Sequence, residues 1–103
     1  MSLIYPGMGA VITKPTTVTV TGSIIVSNGA QAPVSVRTLI DGYEGTGGCI
    51  LVAPNSYAFY VGVYIPPEAP TGNNIAVSVD GSTTNDGKNW GNAGTAAARV
   101  TIQ

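Results

Sequence analysis

The clearest strand signal in the chain is the segment Ser56-Tyr57-Ala58-Phe59-Tyr60-Val61-Gly62-Val63-Tyr64-Ile65. Side chains alternate between the two faces of a β-strand. One face of this strand carries Tyr57, Phe59, Val61, Val63 and Ile65, and the other carries Ala58, Tyr60, Gly62 and Tyr64. Because a small two-layer domain covers only one face of each strand, we expect the first set in the core and the second on the surface.

The outward residues of this strand are candidates for a contact surface. Tyr60 and Tyr64 lie about 13 Å apart on one face, at about 3.3 Å per residue. Tyrosine tolerates a half-buried setting and is enriched at protein interfaces. Either the two tyrosines cover the gap at Gly62, or that gap receives a side chain from a neighbouring molecule. We favour the second interpretation and predict that Tyr60, Gly62, Tyr64 and Trp90 bind a partner.

The composition agrees with a chain that contacts other molecules. A length of 103 residues predicts one domain. Of these residues 44% are hydrophobic and only 9% are charged, against a usual charged share of about 25%. Nine charged residues therefore serve the whole surface: Lys14, Arg37, Asp41, Glu44, Glu68, Asp80, Asp86, Lys88 and Arg99. Such a surface suits packing against other subunits, or an extracellular or particle surface.

The charge pattern excludes two classes of partner. The net charge is −1 and the four cations are scattered, whereas nucleic-acid binding needs clustered Lys and Arg. A membrane-surface role fails for the same reason, and no apolar run approaches the ~20 residues of a spanning helix. We therefore expect neither a nucleic acid nor a membrane as the partner.

The N-terminus and the cysteine content bear on where the protein is made. Residues 1–6 lack the basic and apolar regions of a signal peptide. Cys49 is the one cysteine, so no intramolecular disulfide can form. We expect a protein made in a cytoplasm without a signal peptide, or a domain cut from a larger chain.

Apolar residues of period two, bounded by Gly, Pro, Asn and Asp, predict an all-β domain. The predicted strands are residues 17–26, 34–40, 49–52, 57–65, 74–80 and 97–102, with a short edge strand within 8–13. Gly22 marks a bend or a tight turn in the first of these. Residues 43–48 and 81–94 are predicted as Gly-rich loops, and Trp90 falls in the second. About seven antiparallel strands in two packed sheets follow from this pattern.

The order of these elements resembles an immunoglobulin-like β-sandwich over residues 14–103, with residues 1–13 as an N-terminal arm or edge segment. The resemblance rests on the early strand 17–26 and on the terminal Ala98-Arg99-Val100-Thr101-Ile102. It also rests on the long strand, Pro66-Pro67 and the alternating Ile75-Ala76-Val77-Ser78-Val79 that follow one another. The chain departs from the family in lacking the Cys–Trp–Cys set and in having Asn73 or Asn74 where a corner tyrosine is expected.

Immunoglobulin-like domains that stand as whole small proteins resemble the decoration and accessory proteins of tailed-phage particles. The resemblance implies a virion protein, made in the host cytoplasm, that contacts the major capsid protein or another virion protein in a homo-oligomer or symmetric lattice. An alternative is a carbohydrate- or cell-surface-binding module in which Tyr60, Tyr64 and Trp90 stack on a host-surface glycan. A third interpretation is a domain of a larger bacterial surface protein.

Catalytic chemistry is not indicated by the sequence. The chain has no histidine, which is the commonest general base and metal ligand. Cys49 is interpreted as a small apolar core residue, and Asp41 and Glu44 as parts of a solvated turn. Asp80, Asn85 and Asp86 match no calcium-loop spacing, and no lysine follows Thr46-Gly47-Gly48 to make a phosphate loop. We therefore predict no enzymatic activity, no cofactor and no metal site.

Overall fold

A computed structural model describes residues 1–26, 34–84 and 88–103. Within these ranges the regular structure consists of eight β-strands and no helix, so the prediction of an all-β chain is confirmed. The strands are β1 (Ser2–Tyr5), β2 (Val11–Ile12), β3 (Thr16–Ile25), β4 (Val34–Ile40), β5 (Tyr43–Ala53), β6 (Ser56–Ile65), β7 (Gly72–Thr84) and β8 (Trp90–Ile102). The described residues therefore contain no helix that could cross a membrane.

The eight strands form one curled sheet in the order β1-β3-β6-β5-β4-β7-β8-β2. Neighbouring strands are antiparallel except β2, which pairs parallel with the end of β8. The sheet is thus mixed, whereas the sequence predicted antiparallel strands alone. Segment 1–13 contributes both outer strands of the order, β1 and β2. Period two did not reveal β1, because only four residues form it and three of them are exposed.

The sheet has two halves, one with β1, β3 and β6 and the other with β4, β7, β8 and β2. Strand β5 joins them because it changes its pairing partner along its length. Residues 43–47 pair with β4, and residues 48–53 pair with β6. The prediction of a loop at 43–48 was wrong, since glycine is depleted in strands and reads as a breaker. Glycine is needed here because a Cβ at Gly45 would lie 2.3 Å from the Gly62 carbonyl oxygen, and one at Gly47 would lie 2.2 Å from that of Tyr60. Strands β5 and β6 can approach this closely only because residues 45 and 47 have no side chain.

The inner faces of the two halves pack against each other around one main core. The alternate apolar residues of β3, β4, β6, β7 and β8 point to this side, which agrees with the period-two pattern of the sequence. Its largest fully buried side chains include Phe59, Ile40, Ile65 and Ile102. Thr38 on β4 is the polar exception among the described residues of this core, and its hydroxyl has no hydrogen-bond partner there.

Two glycine-related predictions are corrected by the structure. Gly22 does not mark a tight turn, because β3 continues through it as one long strand. A Cβ there would lie 2.2 Å from the Ser2 carbonyl oxygen and 2.5 Å from the Phe59 ring. The predicted loop 81–94 is largely a hairpin, in which β7 runs to Thr84 and pairs there with Trp90 at the start of β8. This hairpin is held by pairing between backbones. Its side chains are mostly polar or small, so the sequence there lacks the alternating apolar residues by which strands were predicted.

The turn between β4 and β5 agrees with the sequence at Asp41 and Gly42, whereas Glu44, predicted as part of the same solvated turn, lies within β5. Asp41 and Gly42 have φ values of 50° and 83° between β4 and β5, which is the double positive φ of a type I′ hairpin turn. Asp41 is exposed there, as expected of a solvated turn. Asn55 follows Pro54 with φ 65°, and this brings β5 back along β6.

Candidate functional site

The outward side of β3, β6 and residues 48–53 of β5 forms one surface, which we call the tyrosine face. Tyr60 and Tyr64 are 50% and 56% exposed on it, while Phe59 on the opposite side of β6 is 2% exposed. The predicted assignment of the two sides of this strand is therefore confirmed. Tyr60, Gly62 and Tyr64 lie together because they are alternate residues of one strand.

No charged side chain belongs to the strands that build the tyrosine face. Strands β1, β3 and β6 and residues 48–53 contain no Asp, Glu, Lys or Arg. Three hydroxyls line the tyrosines instead, because Thr21, Thr19 and Thr17 are the cross-strand partners of Tyr60, Gly62 and Tyr64 respectively. The face offers aromatic rings, methyl groups and neutral hydrogen-bonding groups, and it would meet a partner without the cost of desolvating a charge.

The tyrosines do not close the gap at Gly62. A Cβ built on Gly48 would lie 3.2 Å from the Tyr60 hydroxyl oxygen, so Tyr60 leans over the glycine of the neighbouring strand. A Cβ built on Gly62 would have only the Thr17 methyl carbon within 4 Å, at 3.4 Å. The interpretation in which both tyrosines cover Gly62 is therefore wrong, and the gap remains open to solvent.

Exposed aliphatic side chains enlarge this surface beyond the residues predicted from the sequence. Ile25 is 72% exposed at the end of β3, and Ile50 and Val52 on β5 are 53% and 61% exposed. The signal for them was present in runs of adjacent apolar residues. Ile24-Ile25 and Ile50-Leu51-Val52 cannot place all their side chains inward, because successive residues of a strand face opposite sides.

Trp90 lies apart from the tyrosine face. It was predicted within a loop, but it is the first residue of β8, which stands four strands from β6 in the sheet order. Its side chain is 51% exposed. The structure therefore brings together three of the four predicted partner-binding residues and leaves the fourth on another surface.

A groove of about 270 Å³ borders the tyrosine face where the chain passes from β1 to β3. It is lined by Tyr5, Val11 and four threonines, Thr13, Thr16, Thr17 and Thr19, with neighbouring aliphatic groups. Thr17 connects the groove to the face, since it pairs with Tyr64 across β3 and β6. The groove is rich in hydroxyl groups and has no charged lining residue.

The outward side of the other half of the sheet has the opposite chemistry, and we call it the charged face. It consists of the outward residues of β4, β7, β8 and residues 43–47. Arg37 forms an exposed ion pair with Glu44 and lies opposite Asp80 across β4 and β7. Arg99 donates from its guanidinium to the Asn74 carbonyl oxygen at 3.0 Å. Exposed ion pairs such as that of Arg37 and Glu44 are common on solvated surfaces and stabilise a fold by about 0–1 kcal/mol.

The groups considered for catalysis or metal binding are dispersed. Cys49 is half-buried against the core opposite Phe59, and burial raises the pKa of its thiol, which lowers the thiolate fraction at neutral pH. Within residues 1–26, 34–84 and 88–103 no three His, Cys, Asp or Glu residues are grouped as metal ligands. Asn85 and Asp86 lie outside these ranges.

Comparison with known proteins adds no relative to this picture: no family model matches the chain, and no curated protein matches it significantly. The site must therefore be judged by its own geometry. An uncharged surface with two half-exposed tyrosines can hold another surface by apolar contacts and neutral hydrogen bonds. It offers no grouped acid, base or nucleophile.

Proposed function

We propose that the chain is a non-enzymatic structural protein of a virus particle, a phage capsid decoration or cement subunit that acts through protein–protein contacts. The observation that supports this best is the tyrosine face, which places Tyr60, Tyr64 and exposed aliphatic groups on a surface without charge. Interface cores are enriched in tyrosine and depleted of charged residues in the same way.

The size of the face supports a role in binding. Strands β3 and β6 each have ten residues, so the face is about 30 Å long at about 3.3 Å per residue. With neighbouring strands about 4.8 Å apart, its area is about 500 Å². Threonine hydroxyls share this area with the aromatic and aliphatic groups, and the largest apolar patch on a monomeric protein is often functional. A partner that covers this area gives the subunit a weak contact, which many symmetric copies on a particle would multiply.

The strand order supports an immunoglobulin-like sandwich as the framework of this subunit. In that fold strands A, B, E and D form one sheet and C, F and G the other. Here β3 and β6 are neighbours in one half, as B and E are, and β7 lies between β4 and β8, as F lies between C and G. Strand β5 passes from one half to the other where the C′ and D strands would lie. The virion role itself rests on the resemblance of the sequence to phage decoration proteins.

The proposal is tested on purified particles of the virus that encodes the chain. We expect mass spectrometry to find the chain in many copies per particle. Particles depleted of it should rebind the purified wild-type protein and the control variant Arg37→Ser, which changes the charged face. They should not rebind the double variant Tyr60→Ser/Tyr64→Ser. Absence of the chain from the particles, or equal binding of the double variant, would refute the proposal.

A carbohydrate-binding module is the second candidate, because the hydroxyl-rich groove lined by Thr17 opens beside Tyr64. Spaced aromatic rings beside neutral hydrogen-bonding groups suit the stacking and hydroxyl contacts of a sugar. Screening the isolated protein on immobilised glycans separates the two candidates. Saturable binding that is lost in Thr17→Val and in Tyr64→Ser, with no binding to particles, would favour this function over the first.

A further inference from the structure

The outward residues of β6 alternate in size along the strand. Ala58 and Gly62 are small, whereas Tyr60 and Tyr64 carry rings that are 50% and 56% exposed. We call these four residues the β6 row. In chain order the row runs small, large, small, large, and in reverse order it runs large, small, large, small. A reversed copy of the row therefore complements the row itself, because each ring meets a small residue.

Gly62 is the place in the row that a ring from another molecule can enter. A Cβ built on Gly62 would have only the Thr17 methyl carbon within 4 Å, so the described residues leave the space above it open. Tyr60 leans away from this gap, with its hydroxyl near Gly48 on β5. An exposed side chain changes rotamer within nanoseconds, so the ring of Tyr60 can turn outward to meet a partner.

Residues 27–33, which lie outside the described ranges, are too few to fill the gap at Gly62. They join Val26 after β3 to Val34 at the start of β4, in the other half of the sheet. Val26 is seven residues along the chain from Thr19, the β3 partner of Gly62, which is about 23 Å at about 3.3 Å per residue. Seven residues span about 25 Å when fully extended, so they cannot reach the gap and also return to Val34.

We infer that the tyrosine face packs against the tyrosine face of a second copy of this chain, with Tyr60 of each copy in the gap at Gly62 of the other. A two-fold axis between the faces, perpendicular to β6 at Val61, produces this contact and sets the two β6 strands antiparallel. The same axis places Tyr64 over Ala58. Rings of the two copies then alternate at about 6.6 Å, the length of two strand residues, which is within the separation that aromatic pairs prefer.

The contact of Tyr60 with Gly62 is the main one in this arrangement. Sheets that pack face to face lie about 10 Å apart and cross at about 30°. Residues 60 and 62 are each one residue from the axis, so the crossing angle displaces them least. Tyr64 is three residues from the axis and is displaced more. We therefore assign the recognition of one copy by the other to Tyr60 and Gly62.

Three observations favour a second copy as the occupant of the tyrosine face. The strands that build the face contain no charged residue, so two copies meet without like charges or a buried unpaired charge. Val61 lies at the middle of β6 (Ser56–Ile65), so an axis there overlaps the whole length of both faces. Two faces of about 500 Å² bury about 1,000 Å² in total, which is close to the lower limit for a specific interface. We therefore expect a dimer that dissociates on dilution.

This inference rests on the proposed role of the tyrosine face in protein–protein contacts, and it names the partner as a second copy of the chain. The same patch serves both subunits, as a two-fold interface requires. On a particle such contacts would link neighbouring decoration subunits to one another.

Sedimentation equilibrium of the isolated chain over a range of concentrations tests the inference. We expect a monomer–dimer equilibrium for the wild type. Gly62→Val fills the gap and should weaken dimerisation about tenfold or more, because the ring of Tyr60 would then be overpacked. Its thermal stability should not fall, since a Cβ there meets only the Thr17 methyl and valine favours strands. Ser35→Val adds the same side chain at an exposed position of β4 on the charged face and should keep the wild-type dissociation constant.

Mixing two variants tests which ring enters the gap. Tyr60→Ser lacks the ring and Gly62→Val lacks the gap, so each should dimerise poorly alone. In a mixed dimer one native contact of ring and gap is restored, and the serine faces the valine. The mixture should therefore associate more tightly than either variant alone. Tyr64→Ser mixed with Gly62→Val should show no such gain, because the axis at Val61 sets Tyr64 over another residue.

Three results would overturn the inference. One is a wild-type protein that stays monomeric throughout the concentration range, and another is a dimer that Gly62→Val leaves intact. The third is a gain on mixing with Tyr64→Ser in place of Tyr60→Ser, which would move the axis from Val61. A monomeric chain that still rebinds particles through the tyrosine face would refute this inference alone. A dimeric chain that is absent from the particles would refute the proposed function alone.

Discussion

The tyrosine face and the charged face are the outer surfaces of two halves of one sheet, and they differ far more than the inner surfaces do. Inside, both halves present the same alternating valine, isoleucine and alanine side chains to a common core. Outside, the charged face carries Arg37, Glu44, Asp80 and Arg99, whereas the strands of the tyrosine face carry no charge. The inner surfaces account for folding, so the difference between the outer surfaces is where a function should be sought.

The charged face is an internal reference for what a solvated surface of this chain looks like. Opposite charges lie next to one another there, as on soluble monomers in general. The tyrosine face is likewise the outward side of antiparallel strands, but its large outward groups are Tyr60, Tyr64, Ile25 and Ile50. Fold and strand propensity do not demand this, because threonine and charged residues would serve an outward position as well.

The largest expected effect comes from removing the two rings of the tyrosine face. Tyr60→Ser/Tyr64→Ser should weaken binding to the partner by about 2 kcal/mol or more per ring, if the rings anchor an interface. The free energy of unfolding should change little, because both side chains are about half exposed. Titration of the variant against the partner, together with its thermal unfolding, measures both quantities. A large loss of melting temperature would mean that the rings belong to the core.

The next effect tests the junction at which the two halves meet. Gly45→Ala should destabilise the fold by about 3 kcal/mol, since overpacking costs 1–3 kcal/mol or more. Its Cβ would lie 2.3 Å from a backbone oxygen, that of Gly62, which cannot rotate away. Gly48→Ala on the same strand is the control, because its Cβ would meet only the movable side chain of Tyr60, with the hydroxyl oxygen nearest at 3.2 Å. Chemical denaturation that finds the two variants equally stable would contradict the close approach of β5 to β6.

A smaller effect, in this case a gain in stability, is expected from Thr38, a polar residue that lies among apolar side chains of the core. Thr38 is fully buried, and its hydroxyl has no hydrogen-bond partner among the described residues. Thr38→Val keeps the shape and should stabilise the protein by about 1 kcal/mol, which raises the melting temperature by about 4–8 °C. Thr19→Val, at an exposed position of the tyrosine face, should have a much smaller effect. A destabilised Thr38→Val variant would show that a bound water satisfies the hydroxyl.

The sequence predicted the inner surfaces well and the outer ones in part. Period two placed Phe59, Val20 and Val79 in the core, because burial of one face imposes that alternation on every strand. Tyr60 and Tyr64 were found because they share a strand with such a signal. Ile50 was missed because it lies in the apolar run Ile50-Leu51-Val52, where alternation does not show which side chains face outward.

The failures in predicting strands have a different origin. The glycines of residues 43–48 favour a loop by propensity, and only the tertiary approach of β6 to Gly45 explains why they form a strand. The pairing of Trp90 with Thr84 likewise depends on backbone hydrogen bonds and not on side-chain pattern. Long-range contacts of this kind cannot be inferred from the local sequence of either partner.

The smallest expected change in the free energy of unfolding comes from a substitution on the charged face. Arg37 and Glu44 form an ion pair whose side chains are 57% and 46% exposed, and such exposed pairs contribute about 0.2–1 kcal/mol. Glu44→Gln should therefore lower the free energy of unfolding by less than about 1 kcal/mol, and added salt should reduce the difference, because it screens the pair. It should leave partner binding unchanged. If Glu44→Gln instead weakened binding as much as the loss of Tyr60 and Tyr64, the two faces would not be functionally distinct, and the contrast between them would no longer locate the binding surface.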